Sequence, residues 1–174
     1  MRPGGATSDD VQAENVQDMQ ADGARVGAAQ ADSVRTDSVR TGSVRTGDPL
    51  PPLEIEITRT LIVAGAIASR DYQDVHHDAE LARQKGSPDI FMNILTTNGL
   101  VGRYITDHFG PGAVLRKVAI RLGAPNYPGD NMVLTGSVEE IAGGHATVRV
   151  IGANSIGRHV TGTVVVSLPP GGAS

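Results

Sequence analysis

Apolar and polar positions divide the chain near residue 49. Residues 1–48 contain no Phe, Tyr, Trp, Leu or Ile, so they offer no apolar face of helical or strand period. Beyond them the periods become legible. Glu54 to Thr58 alternates apolar and charged residues and predicts a short strand. Leu61 to Ala68 is apolar and Ala-rich and predicts a short helix. A polar stretch from Ser69 to Asp78 follows, and Asp78 to Lys85 predicts another short helix with an acid favourably placed at its start. The strongest helical signal runs from Pro88 to Phe109, where Ile90, Phe91, Ile94, Leu95, Val101, Tyr104, Ile105 and Phe109 recur near helical spacing. Ser87 is the expected N-cap, Pro88 the first helical residue, and Gly110-Pro111-Gly112 the stop. Being apolar on much of its circumference, this helix is expected to be buried and central.

Everything after it reads as strand. Leu115 to Leu122 alternates, with Val118, Ile120 and Leu122 on one face and Lys117 and Arg121 on the other. Met132 to Ile141, His145 to Gly152 and His159 to Leu168 are further strands, with Gly143-Gly144 as a hairpin turn and Asn154 to Gly157 as a second turn. An antiparallel sheet curled around one helix would bury that helix and leave its other face for water or a partner. Such a sheet around one helix would be the hot-dog arrangement, but period alone supports only an α+β class.

Composition narrows the function. The chain has 174 residues, enough for about one domain. It carries 15 Lys and Arg against 19 Asp and Glu, a net charge of −4. Nucleic acid and anionic membranes, which want clustered positive charge, are therefore not expected partners. With no Cys, thiol catalysis, disulfides and zinc ribbons are excluded. No apolar run reaches membrane-spanning length and no leader is legible, so a cytoplasmic protein is expected. The polar segment 1–48 contains Asp32-Ser-Val-Arg-Thr36, Asp37-Ser-Val-Arg-Thr41 and Gly42-Ser-Val-Arg-Thr46, a repeat too short for a solenoid. It is expected to be a disordered tail. Pro49, Pro51 and Pro52 mark a linker into a domain over 49–168, and 169–174 is expected to be a flexible end.

Five histidines are candidates for chemistry. His145 and His159 fall in strand patterns and are expected at surface or pairing positions. His108 ends the long helix, where the dipole favours a partly charged imidazole. His76 and His77 close the polar loop that Asp71 opens. Adjacent histidines make a poor metal pair and no His-x-x-x-His is present, so no metal is expected. Asp71 and His76 can instead converge on one water, the carboxylate accepting its proton and the imidazole orienting it. By spacing alone this competes with Asp71 merely capping its loop.

Asp71-Tyr-Gln-Asp-Val-His76-His-Asp78 resembles the hydratase motif of the MaoC-like (R)-specific enoyl-CoA hydratases, which reads Gly-Asp-x-Asn-Pro-aliphatic-His with a small residue six positions on. Asp71, Val75, His76 and Ala82 match at that spacing. Pro125-Asn-Tyr-Pro-Gly-Asp130 resembles the family's turn between strands. The strings Asp89-Ile-Phe and Gly99-Leu-Val, with Arg103-Tyr104 following, resemble the small subunit of the actinobacterial heteromeric hydratases of steroid side chains. The resemblance spans residues 53–168 and implies the hot-dog fold.

It also implies addition of water to an α,β-unsaturated acyl-CoA, with Asp71 as general base and His76 holding the water. The backbone N–H of Asn93, where many relatives have Gly, would receive the enolate oxygen. CoA comes with the substrate, so no cofactor is implied. A second MaoC-domain subunit would supply much of the pocket, making a hetero-oligomer. Gln73, Arg116, Lys117 and Arg121 are candidates for substrate or CoA contacts. The chain departs from the motif at Arg70, Gln73 and Asp74, where the family has Gly, Asn and Pro. Those departures keep a second reading open, a non-catalytic scaffold completing a partner's pocket. A thioesterase is disfavoured because Asp107 is the only carboxylate in the helix interior and lies near its far end.

Overall fold

The computed structural model describes residues 44–168. The expectations for residues 1–43 and 169–174, including the repeat, lie outside them. The elements in chain order are β1 (Pro49–Ile57), α1 (Arg59–Ala68), a single 3-10 turn (Asp74–His76), α2 (Ala79–Gln84), α3 (Ile94–Phe109), β2 (Val114–Leu122), β3 (Asp130–Ala142), β4 (His145–Ala153) and β5 (Arg158–Ser167). The strands form one five-stranded antiparallel sheet in the order β1-β3-β4-β5-β2. α3 touches β1 and β2, the two sheet edges, as well as β5. The sheet therefore curls around the helix, which is the hot-dog arrangement.

Strand alternation explains the core. Leu134 and Val138 of β3, Val148 and Val150 of β4, and Val160, Val164 and Val166 of β5 all turn inward and are buried. They meet Val101, Tyr104, Ile105 and Phe109 on one side of α3. The opposite sheet face carries Thr135, Arg149, Lys117 and Arg121, left to solvent. Gly143 and Gly144 both take positive φ, 57° and 76°, the geometry that a two-residue hairpin with right-handed twist requires.

Four expectations are corrected. Pro49, Pro51 and Pro52 are not a linker but part of β1, with a register shift between Leu50 and Leu53. β1 is an edge strand, where a residue without an N–H leaves no ladder bond unmade on the outer side. Residues 44–48, placed in the tail on composition, already belong to the fold: Gly47 N–H donates to Val138 O, Val138 N–H donates to Asp48 O, and Val44 packs on the core. Finally, the long helix starts at Ile94, not Pro88. Asn93 is its N-cap, its side chain accepting from Thr96 N–H at 2.9 Å, while Ser87 Oγ bonds Asp89 O. α3 is also buried along one side only, for Ile94 and Leu95 remain 47% and 49% exposed in the single chain.

Residues 88–93 stay out of the helix, bending at Pro88-Asp89, because backbone N–H groups within them are bonded to other segments. Phe91 N–H donates to Val75 O, and Met92 N–H donates to Asn126 O, each at 3.0 Å. Asp89 accepts two hydrogen bonds from Arg59 at the start of α1, which hold its carboxyl below the usual range.

Candidate active site

The end of α1 sets up the first half of the site. Ser69 caps the helix, its N–H and Oγ both donating to Gly65 O. The chain then reverses through Arg70, whose φ of 56° is left-handed, and Asp71 N–H donates back to Ala66 O at 2.9 Å. A left-handed L-residue costs roughly 1–2 kcal/mol, and glycine is free of that cost. This is the physical reason for the Gly that the related motif carries at this position. The 3-10 turn Asp74–His76 then brings His76 back over Asp71, and the Asp74–Lys85 ion pair ties the turn to the end of α2.

His76 is 6% exposed. Its Nδ1 lies 2.7 Å from Phe91 O. A carbonyl can only accept, so Nδ1 carries a proton and Nε2 is the ring nitrogen turned toward the loop. Nε2 lies 3.4 Å from Asp71 Oδ2, close enough for both atoms to reach one water. The Phe91 ring stands edge-on to the imidazole, centroids 5.0 Å apart, and fixes its plane. Asp71 is also held from α3, because Asn93 Nδ2 donates to Asp71 Oδ2 at 3.0 Å and to Ser69 Oγ at 2.8 Å. Asp71 Oδ1 has no partner among the described residues.

Beside this pair lies the start of α3. Thr97 N–H bonds Asn93 O and Thr96 N–H bonds the Asn93 side chain. Among the described residues the N–H groups of Asn93, Ile94 and Leu95 have no partner. They form a cluster of free donors at a positive helix end. Exposed apolar groups surround the same place: Ile67 (58%), Tyr72 (66%), Ile94 and Leu95.

The other expected site residues lie elsewhere. Gln73 is exposed, and only its carbonyl is engaged, accepting from His76 N–H. Arg116, Lys117 and Arg121 are exposed on β2, with Lys117 and Arg121 on the sheet face opposite α3 and Arg116 bonded to Ser167 Oγ. The structure does not bring these three to Asp71. His159 is not a surface residue. It is 1% exposed, its Nδ1 donating to Ala124 O and its Nε2 facing Thr97 Oγ1 at 2.9 Å; burial lowers its pKa. His108 likewise has its pKa lowered by burial, against the opposing charge of Asp48. Among the described residues no group of three His, Cys, Asp or Glu is placed to hold a metal.

Three parts of the site escaped sequence reading: the Asn93 side chain, Ser69 Oγ and the Phe91 carbonyl. Only the first left a trace, an Asn three residues before Thr96 at the head of an apolar run.

Known proteins share both the sequence and the shape. The MaoC-like domain profile matches residues 40–158. The 3-oxo-4,17-pregnadiene-20-carboxyl-CoA hydratase beta subunit of Mycobacterium tuberculosis is 48% identical over 119 residues, covering 68% of this chain and 92% of that protein. A crystallised chain of the ChsH1-ChsH2 complex from Mycobacterium tuberculosis superposes with a TM-score of 0.70 at 47% identity, over 71% of this chain and 98% of that one. An (R)-hydratase from A. caviae superposes with a TM-score of 0.68 at 20% identity, over 74% of this chain and 99% of that one, a likeness of fold. No helix among the described residues is long and apolar enough to cross a membrane.

Proposed function

The chain belongs to the MaoC-like domain family, and from that premise we propose that it is the catalytic subunit of a heteromeric enoyl-CoA hydratase acting on a steroid side-chain thioester. The observation that carries this reading is the facing pair, Asp71 Oδ2 and His76 Nε2, next to unpaired N–H groups at the start of α3. A water between the pair donates one O–H to each. The relative's substrate name places a C17 double bond in conjugation with the C20 thioester. In the same chemistry here, the water oxygen bonds the β-carbon as Asp71 takes its proton. The π electrons move onto the thioester oxygen, which accepts from Asn93 N–H. The enolate then collapses as its α-carbon takes a proton back from Asp71, so one water is added in all. His76 keeps its Nδ1 proton on Phe91 O throughout and orients the water through Nε2.

A partner subunit fits the exposed apolar groups around the Asp71 loop, which an acyl chain or a second MaoC domain would cover. Binding of the CoA phosphates then falls to the partner or to side chains such as Arg70 at the mouth of the loop. The test is hydration of 3-oxo-4,17-pregnadiene-20-carboxyl-CoA by the chain co-purified with a second MaoC-domain subunit. Loss of the conjugated-thioester absorbance and a product heavier by one water are expected. An unchanged thioester in the assembled complex would refute the substrate assignment.

A further inference from the structure

We infer that the Asn93 side chain is a positioning residue for Asp71, and that the head of α3 and the catalytic carboxylate are set by this one amide. The inference rests on the hydratase reading above. Asn93 is 2% exposed and uses its amide fully. Its Oδ1 accepts from Thr96 N–H at 2.9 Å, and its two Nδ2 hydrogens go to Asp71 Oδ2 at 3.0 Å and Ser69 Oγ at 2.8 Å. Ser69 Oγ in turn donates to Gly65 O at 2.7 Å. The amide therefore clamps three segments together: the end of α1, the Asp71 loop and the start of α3.

The clamp acts on one carboxylate oxygen only. Donation to Oδ2 fixes the plane of the carboxylate and leaves the second lone pair of Oδ2, which faces His76 Nε2, to accept from the water. Meanwhile Asn93 N–H has no partner among the described residues. A single residue thus places the base through its side chain and offers a backbone donor to the enolate oxygen, so base and donor keep a fixed spacing. Gln73, at the position where the related motif has an amide side chain, makes no side-chain hydrogen bond among the described residues. The amide that meets Asp71 comes from the helix instead of the loop.

Other charges around Asp71 are accounted for. His76 faces it at 3.4 Å. Asp74 is paired with Lys85, and His77 Nε2 lies against Tyr72 O. Arg70 precedes Asp71 with an exposed side chain, and α3 contributes no ionisable side chain in its first turn.

Asn93→Asp and Asn93→Ser separate positioning from capping. Both residues are good N-caps and keep the bond to Thr96 N–H. Asn93→Asp replaces the donor with a second carboxylate beside Asp71, and like charges raise one carboxyl pKa strongly. In the complex with its partner, using 3-oxo-4,17-pregnadiene-20-carboxyl-CoA, the acidic limb of kcat/KM against pH should move up by about one unit or more in Asn93→Asp. Its kcat at neutral pH should fall by about 10²-fold with KM within about threefold. Asn93→Ser should lose about 10-fold in kcat with a smaller shift of the same limb. Wild-type pH profiles in both variants would overturn the inference. So would failure of both to assemble, because residues that keep the cap would then have exposed a purely structural role. Asp71→Asn, measured alongside, separates the two claims: full activity there removes the hydratase reading itself, whereas a dead Asp71→Asn with an unshifted Asn93→Asp removes only the role of Asn93.

Discussion

Substituting Gly65 by Ala should damage the site from a distance, and the geometry says how. Gly65 lies inside α1 where the helix crosses α3. A Cβ there would stand 2.8 Å from Thr96 Cγ2 and 3.0 Å from Thr96 Cβ, with Thr96 Oγ1 nearer still. Inside a helix Ala is favoured over Gly by about 1 kcal/mol. Overpacking of this kind costs about 1–3 kcal/mol. The net expectation is a loss of up to about 2 kcal/mol, as α1 is pushed off α3. Rotating Thr96 does not relieve both contacts, since every rotamer leaves Oγ1 or Cγ2 turned toward Gly65. Truncating it does, and removing the hydroxyl costs little because Thr96 Oγ1 is buried without a hydrogen-bond partner. In a Thr96→Ala background only the Cβ contact at 3.0 Å remains, so Gly65→Ala should cost much less there. The four-member cycle is read from unfolding midpoints of the complex at one protein concentration. A coupling of about 1–3 kcal/mol is expected; contacting pairs reach this range and independent sites stay within about 0.5. Activity should follow. Ser69 and Asp71 hang from Gly65 O and Ala66 O, so a shift of α1 moves Asp71. Displacements near 1 Å cost up to about 10²-fold in rate. Additive midpoints, or a Gly65→Ala enzyme of full activity, would refute the claim that this helix crossing sets the site.

Two further outcomes follow from named residues. Arg70→Gly relieves the left-handed backbone at φ 56° and should raise stability by about 0.5–1 kcal/mol after the extra chain entropy of Gly; a lower unfolding midpoint would show that the Arg70 side chain makes a contact that outweighs the strain. The buried His159 should make the protein acid-sensitive well above the carboxylate range. Its folded pKa lies below the ordinary value of 6.5, so the unfolded chain binds the proton first. Stability is then full above about pH 6.5 and falls as pH drops toward the folded pKa, at up to about 1.4 kcal/mol per pH unit. Asp89 and Asp130, whose folded pKa values are lowered, lose their contribution only below about pH 4. Unfolding midpoints that stay level between pH 7 and pH 5 would contradict the neutral, doubly bonded ring.

Much of the fold was legible because its signals are local. The strands alternate since the sheet has one buried face, and α2 begins at Asp78 because that side chain accepts from Glu80 and Leu81 N–H. The failures came where tertiary bonds override local cues. Ser87-Pro88 is a good helix start in isolation. Bonds from Phe91 to Val75 and from Met92 to Asn126 keep the following residues out of the helix and move its N-cap to Asn93. The prolines of β1 read as a linker because nothing local announces an edge strand. The alternating pattern could not show that His159 lies under Thr97, 62 positions away in sequence. In the site, the spacing of Asp71 and His76 was readable because both lie in one short loop that the 3-10 turn Asp74–His76 closes. The carbonyl that sets the His76 tautomer and the amide that holds Asp71 come from 15 and 22 residues downstream. Their partners exist only once α1 and α3 have packed.

The central claim is that Asp71 and His76 of this chain perform the chemistry. The most direct measurement is the hydration rate of 3-oxo-4,17-pregnadiene-20-carboxyl-CoA by the assembled complex carrying wild-type chain, Asp71→Asn or His76→Ala. The account predicts a fall in kcat of at least about 10²-fold for each single substitution. It also predicts much less than the product of the two for the pair, because both groups act on one water. Rates within a fewfold of wild type in all three variants would contradict it. The base would then lie on the partner, and this chain would be its scaffold.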